Sequence, residues 1–138
     1  MQTLKEHTNF VTSLVCWGSF LISGSLDATL KLWGASESGS LKVVYEVKEE
    51  TGVLALFGVH DAEAKPILLR SCKDNTVCMY ELPSFGERGR IFSKREVTSL
   101  QAVEMSCGGM FFNGDATGEL SVWRLLGEPK EEAAAQAN

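Results

Sequence analysis

Residues 23–33 read SGSLDATLKLW, with an acid in a turn, an alternating run after it and an aromatic at the end. The same sentence returns as RSCKDNTVCMY at 70–80 and, more loosely, as NGDATGELSVW at 113–123. Aligned on their last residues, the three segments put Trp33, Tyr80 and Trp123 at spacings of 47 and 43 positions. A second mark repeats independently: VTSL stands at 11–14 and again at 97–100, with VLAL at 53–56 filling the middle slot. A period in the forties is that of a supersecondary unit repeated along the chain.

Turn residues cut each unit into short alternating segments, which read as strands rather than helices. The expected strands are 11–17, 20–23, 29–33 and 41–47, then 53–59, 66–71, 76–82 and 90–93, then 97–103, 109–112 and 119–125. No fourth strand is expected in the third unit, because GEPKEEAAAQAN at 127–138 is polar and Ala-rich and reads as a frayed tail. Leu30 and Leu32 alternate with Thr29, Lys31 and the bulky Trp33, so this strand has something to bury on both faces. Radially stacked, four-stranded blades have that property, since each small sheet is covered by a neighbour on either side. The expected fold is all-β: three units, about 5–47, 48–93 and 94–125, form a partial, open β-propeller over 1–125, and 126–138 form a polar disordered tail.

A chain of 138 residues with 44% hydrophobic residues is the size of one domain. Thirteen basic against eighteen acidic residues give a net charge of -5, which argues against non-specific attraction to nucleic acid or an anionic membrane and favours a basic partner. No apolar run reaches the length of a spanning helix, and MQTLKEHTNF lacks a signal-peptide core. The expectation is an intracellular protein, in nucleus or cytoplasm. Cys16, Cys72, Cys78 and Cys107 sit in apolar or alternating segments and read as buried reduced thiols.

The stretch HTNFVTSLVCW...LISGSLDATLKLW resembles a WD repeat, a four-stranded propeller blade. The resemblance implies that His7, Ser23, Asp27 and Trp33 form a buried hydrogen-bond network. Independently, a tight turn leaves backbone N–H groups facing inward, and an ionised carboxylate accepts several of them. The second unit keeps Asp74 but has Arg70 in the Ser slot, Tyr80 for Trp and no His before VLAL. The third keeps Trp123, with Thr117 in the Asp slot and Ser93 near the His slot, so the network is expected complete only once. Ser, His and Asp together also suggest nucleophilic catalysis, which needs an exposed hydroxyl beside a cleft. A turn-fixing network explains the repetition without chemistry, so no enzyme and no cofactor are expected.

The stretches ESGSLKVVYEVKEETGVLALFGVHDAEAKPILLRSCKDNTVCMY and GGMFFNGDATGELSVWR are similar to the C-terminal blades of plant CCCH-type zinc-finger proteins that carry a WD-repeat domain. In that family an RNA-related or nuclear role is inferred from the fingers. A finger needs three Cys and a His closely spaced around zinc. Cys72 and Cys78 are separated by strand and turn, and His7 and His60 are remote from them, so no metal is expected here and RNA or DNA binding rests on family analogy. Three units cannot close a ring of the usual four to eight blades. MQTL reads as the outer strand of an absent blade, and the chain is expected to be a fragment that self-associates through open blade faces.

Two loops are candidates for recognition of a protein or peptide partner. VHDAEAKP at 59–66 presents His60 and Asp61, with Glu63 and Lys65; GERGRIFSKRE at 86–96 presents Arg88, Arg90, Lys94 and Arg95. The second could touch phosphate or an acidic peptide, although strand alternation splits its charges between faces, which favours a solvated loop and edge strand. The expected function is a non-catalytic interaction scaffold; the alternative is nucleic-acid binding through zinc fingers present only in a longer parent.

Overall fold

The computed structural model describes residues 1–61, 63–105, 108–125 and 135–137. Twelve strands run along these residues. The first blade comprises β1 (Val11–Trp17), β2 (Phe20–Ser25), β3 (Thr29–Ala35) and β4 (Leu41–Lys48). The second comprises β5 (Val53–His60), β6 (Pro66–Cys72), β7 (Thr76–Glu81) and β8 (Gly86–Phe92), and the third β9 (Val97–Met105), β10 (Gly108–Asp115), β11 (Leu120–Leu125) and β12 (Ala135–Ala137). Each blade is an antiparallel meander in which chain neighbours pair in sequence order. The architecture is all-β, three open blades.

The middle blade shows why the units stack radially. Ile67, Leu68 and Leu69 are consecutive in β6 and all fully buried. Consecutive strand residues point to opposite faces, so both faces of this sheet are covered. Leu68 joins a cluster with Ile22, Leu30, Val53 and Leu56 at the seam between the first and second blades. Ile67 and Leu69 join Val77, Met79, Val97, Leu100 and Phe111 at the seam between the second and third. The blades approach closely: a Cβ on Gly24 would lie 2.7 Å from Val53 Cγ1.

The turn between the second and third strands is the same object in every blade. Ala28 N, Asn75 N and Gly118 N donate to the carbonyls of Ser25, Cys72 and Asp115 at 3.2, 3.2 and 3.3 Å. The donors sit at φ 68°, 65° and 92°, five positions before the aromatic in each unit. Left-handed backbone at one shared position is the physical signature of the repeat.

Four expectations are corrected. Ala135–Ala137, read as disordered tail, pairs with β11 as a fourth strand, with Ala137 opposite Trp123. The segment Ala-Gln-Ala offers no alternating hydrophobic pattern to read in the sequence; residues 126–134 and 138 of the tail lie outside the described residues. MQTL is not a strand. The Gln2 side chain instead brackets the Leu41 backbone of β4, Nε2 donating to its carbonyl and Oε1 accepting from its N–H at 3.2 and 3.1 Å. Strand β8 begins at Gly86 rather than at 90, because the turn at 82–85, closed by Phe85 N donating to the Glu81 carbonyl at 2.7 Å, is tight. Finally, Cys72 and Cys78 are buried thiols but Cys16 is exposed, on a cleft it lines with Phe57 and Val59 of β5; Cys107 lies outside the described residues.

Candidate interaction rim and its hydrogen-bond networks

In the first blade the loop before β1 delivers His7 to the turn before β3. His7 Nδ1 lies 2.9 Å from Asp27 Oδ2 and Nε2 lies 2.6 Å from Ser23 Oγ. Trp33 Nε1–H donates to the same Ser23 oxygen at 2.8 Å. One set of directions satisfies all four: Trp33 donates to Ser23, Ser23 donates to His7 Nε2, and Nδ1–H donates to Asp27, a carboxylate being acceptor only. Asp27 also accepts from Thr8 N at 3.0 Å, Thr29 N at 3.0 Å and Thr29 Oγ1 at 2.6 Å. Burial by itself would raise the Asp27 carboxyl, yet the bonds from Thr29, His7 and Thr8 outweigh it and hold the group at about 2.

The distances resemble those of a nucleophile, base and orienter. The third partner decides otherwise: Ser23 is 2% exposed and its oxygen already receives the indole N–H. A hydroxyl held from both sides has no free approach for a reactant.

The second blade rebuilds the network with different chemistry. Arg70 stands ten residues before Tyr80, as Ser23 does before Trp33, and Glu49 stands four before the start of β5, as His7 does before β1. Arg70 Nε lies 3.0 Å from Glu49 Oε2, and its Nη2 donates to Glu49 Oε1 and to the Tyr80 hydroxyl, each at 3.2 Å. Nη1 donates to Thr76 Oγ1 at 2.9 Å, and Thr76 Oγ1 donates to Asp74 Oδ1 at 2.5 Å. Tyr80 O–H closes the circuit on Glu49 Oε2 at 2.8 Å. Burial pushes the Tyr80 hydroxyl above its ordinary range. For Arg70 burial works against the charge, but the Tyr80 and Glu49 oxygens hold its proton more tightly than usual.

In the third blade Asn113 fills the Ser slot and accepts from Trp123 Nε1–H at 2.7 Å. The turn is held by Asp115, two positions earlier than in the other blades, which accepts from Thr117 N, Thr117 Oγ1 and Glu119 N at 2.9, 2.6 and 3.1 Å. These bonds, Thr117's first, keep its carboxyl below the usual range. Ser93 N donates to the Asn75 carbonyl at 2.8 Å, and the Ser93 side chain lines a cleft of about 170 Å³ with Asn113 and Trp123, where a longer side chain would reach the network.

The proposed loop residues separate. Asp61 and Arg88 are buried and joined by an ion pair of 2.5 Å, with Asp61 Oδ1 accepting from Glu63 N and Lys65 N at 2.9 Å each. These two are corrected from interaction residues to a buried ion pair that ties Asp61, just after β5, to β8, because neither charge reaches solvent. His60, Lys94 and Arg95 are exposed. Arg90 is exposed and paired with Glu87 at 2.6 Å, a surface pair of small energetic weight. Sequence reasoning missed Glu49, Thr29, Asn113 and Asp115; counting from the aromatic and from the inner strand would have found the first three.

The result is one end where three rigid loop-and-turn pairs lie side by side. Among the described residues no group of three His, Cys, Asp or Glu side chains is placed to hold a metal ion, and no helix is long and apolar enough to cross a membrane.

Comparison with known proteins places these features. The family WD domain, G-beta repeat, matches residues 1–34. The chain is 56% identical over 126 residues to zinc finger CCCH domain-containing protein 17 of Oryza sativa subsp. japonica, covering 91% of this chain and 28% of that protein. It is 54% identical over 101 residues to zinc finger CCCH domain-containing protein 63 of Arabidopsis thaliana, covering 69% of this chain and 22% of that one. The chain thus spans about a quarter of the length of these relatives. The crystal structure of the computationally designed Ika4 protein matches with a TM-score of 0.70 at 21% identity, covering 95% of this chain and 76% of that chain, which speaks for the fold alone. Residues 1–34 thus match the WD domain, G-beta repeat, and the chain, three propeller-like blades, is similar over most of its length to plant CCCH zinc-finger proteins.

Proposed function

We propose that the chain is a non-catalytic protein-interaction segment whose recognition surface is the rim formed by the loops before β5 and β9 and the turns before β3, β7 and β11. The observation that carries this reading is how the three blades use their buried polar side chains. Each commits the polar groups nearest its aromatic to that aromatic and its turn, which braces the rim and leaves Ser23 no free approach as a nucleophile. A rigid scaffold presenting loops is suited to recognition. Phe10 and Phe92 are each 75% exposed near this end, together with exposed Lys73, Lys94 and Arg95. This local chemistry fits a peptide with acidic and apolar side chains, although the net charge of -5 alone favours a basic one. The site of action we assign is intracellular, nucleus or cytoplasm.

An array of acidic, apolar and basic peptides tests the reading. Acidic peptides with an aromatic residue should bind, and Phe92→Ala with Lys94→Glu and Arg95→Glu should weaken them at least tenfold; binding indifferent to those changes sinks the assignment. A fluorophosphonate probe should leave Ser23 unlabelled. Nucleic-acid binding is the second reading, favoured by the zinc-finger names of the relatives. Ultraviolet crosslinking to RNA, run on this chain and on a version extended by a Cys/His-rich segment, separates the two: equal labelling of both would overturn the scaffold reading.

A further inference from the structure

Among the described residues the first and third blades each have one face that no other blade covers, and the repeat says what those faces are made for. Val53 and Val97 open β5 and β9 and are fully buried, whereas Val11, at the same position of β1, is 50% exposed. Three residues on, Leu56 and Leu100 are each 5% exposed and Leu14 is 61% exposed. The opposite face behaves in the same way at the other end of the chain. Leu30 and Val77, three positions before the aromatic, are each 1% exposed, but Leu120 is 69% exposed; Val59 is 4% exposed, but its equivalent Val103 is 51% exposed. Leu56 packs in one cluster with Leu30, and Leu100 in one cluster with Val77. The unfilled face of the first blade is therefore of the kind that the unfilled face of the third blade covers.

Polar groups repeat the match. In VTSL at 11–14, Thr12 Oγ1 donates across the seam to the Val53 carbonyl at 2.7 Å and within its blade to the Gly24 carbonyl at 3.2 Å. Ser13 Oγ accepts from Leu56 N across the same seam at 3.1 Å. The third blade carries the same VTSL at 97–100. Thr98 Oγ1 makes the equivalent bond within its blade, to the Gly114 carbonyl at 3.4 Å, and Thr98 and Ser99 are exposed. The second blade, with Leu54 and Ala55 in those positions, crosses its seam instead with Ser71 Oγ on the Val97 carbonyl at 2.8 Å. The groups that reach Val53 and Leu56 in the first seam thus recur in the third blade, with Val11 and Leu14 as their counterparts.

We propose that two copies of this chain associate head to tail, the third blade of each covering the first blade of the other, to close a six-bladed ring with two equivalent new seams. Six lies within the roughly four to eight blades of closed propellers, and a heterologous contact repeated about a two-fold axis closes rather than polymerises. In this seam Leu14 meets Leu120 of the second copy, as Leu56 meets Leu30.

Sedimentation equilibrium of the 138-residue chain at tens of micromolar tests the arrangement. The expected species has twice the 15.1 kDa chain mass. Leu14→Glu and Leu120→Lys change side chains exposed in the single chain, so each variant should keep its circular dichroism and a cooperative melt while becoming monomeric. Mixed in equal amounts, the two variants should form a dimer again, because one seam then pairs Glu with Lys and the other keeps Leu with Leu. A monomeric unsubstituted chain would overturn the proposal and leave the faces to blades other than those of a second copy. So would a dimer broken by only one variant, which means like faces meeting, a dimer that survives both, or open-ended polymers.

Discussion

Glu49 and Arg70 form, with Nε 3.0 Å from Oε2, a charged version of the contact that His7 and Ser23 make in the preceding blade. The two pairs occupy the same positions relative to the inner strand and the aromatic, so the turns they support share a geometry while the pair changes from imidazole and hydroxyl to carboxylate and guanidinium. The ionic version buries its charges almost completely, with side-chain exposures of 2% and 8%.

Removing one member of such a pair leaves a desolvated charge, which typically costs about 3–5 kcal/mol. Arg70→Ser is therefore expected to destabilise the chain by that amount in urea unfolding. The combined variant Glu49→His, Arg70→Ser, Tyr80→Trp transplants the first blade's set and should recover most of the loss. A transplant as unstable as the single variant would show that the two networks are not interchangeable.

The first network was legible in the sequence because each member has its own hydrogen-bonding signature: an acid in a turn, a His before a strand, a Ser ten before a Trp. Glu49 was not, since the run VKEE at 47–50 looks like a solvated charge cluster and acquires meaning only when Arg70, 21 residues on, is folded against it. Asp61 and Arg88 were misread for the same reason, as two loop charges that become one buried pair. The strand pattern, by contrast, was legible almost throughout, because burial on both faces of β3, β6 and β7 repeats at a fixed distance from the aromatic. At 135–137 the sequence Ala-Gln-Ala carries no alternating apolar pattern, so the strand left no trace.

Asp27 sets an acid limit. Its folded-state value of about 2 lies below the ordinary 3.8, so its contribution is present above pH 4 and is lost as the pH falls from there through about 2. The difference corresponds to roughly 2 kcal/mol. Thermal unfolding of the unsubstituted chain and of Asp27→Asn should therefore show a stability gap at pH 6 that narrows by about this amount at pH 2. A gap independent of pH would mean that the carboxylate is not what holds the turn.

Ala28 keeps a Cβ at φ 68°, where the other blades place Asn75 and Gly118. Left-handed backbone costs an Ala about 1 kcal/mol, and Asn tolerates it through local hydrogen bonding. Ala28→Asn should gain about 0.5–1 kcal/mol, and Asn75→Ala should lose a similar amount, both measured by thermal melts. Opposite signs for the two reciprocal changes are the result that matters; matching signs would place the effect elsewhere than in the backbone.

Gly24 fixes how near the first two blades come. An added methyl would meet Val53 Cγ1 at 2.7 Å and the Leu56 side chain at 3.2 and 3.3 Å, and Val53, fully buried and β-branched, has little rotamer freedom to yield. Gly24→Ala is expected to cost about 1–3 kcal/mol in urea unfolding, as overpacking does elsewhere. Gly58→Ala, whose nearest neighbour is Val15 Cγ1 at 3.3 Å, should cost less. Val53→Ala alone opens a cavity, but in Gly24→Ala/Val53→Ala the new methyl enters the vacated space, so the pair should be less destabilised than the sum of the singles by at least about 1 kcal/mol. Strict additivity would mean that the blades separate at the seam instead of repacking, so that their spacing is set by the inner-strand hydrogen bonds of Thr12 and Ser13 rather than by this contact.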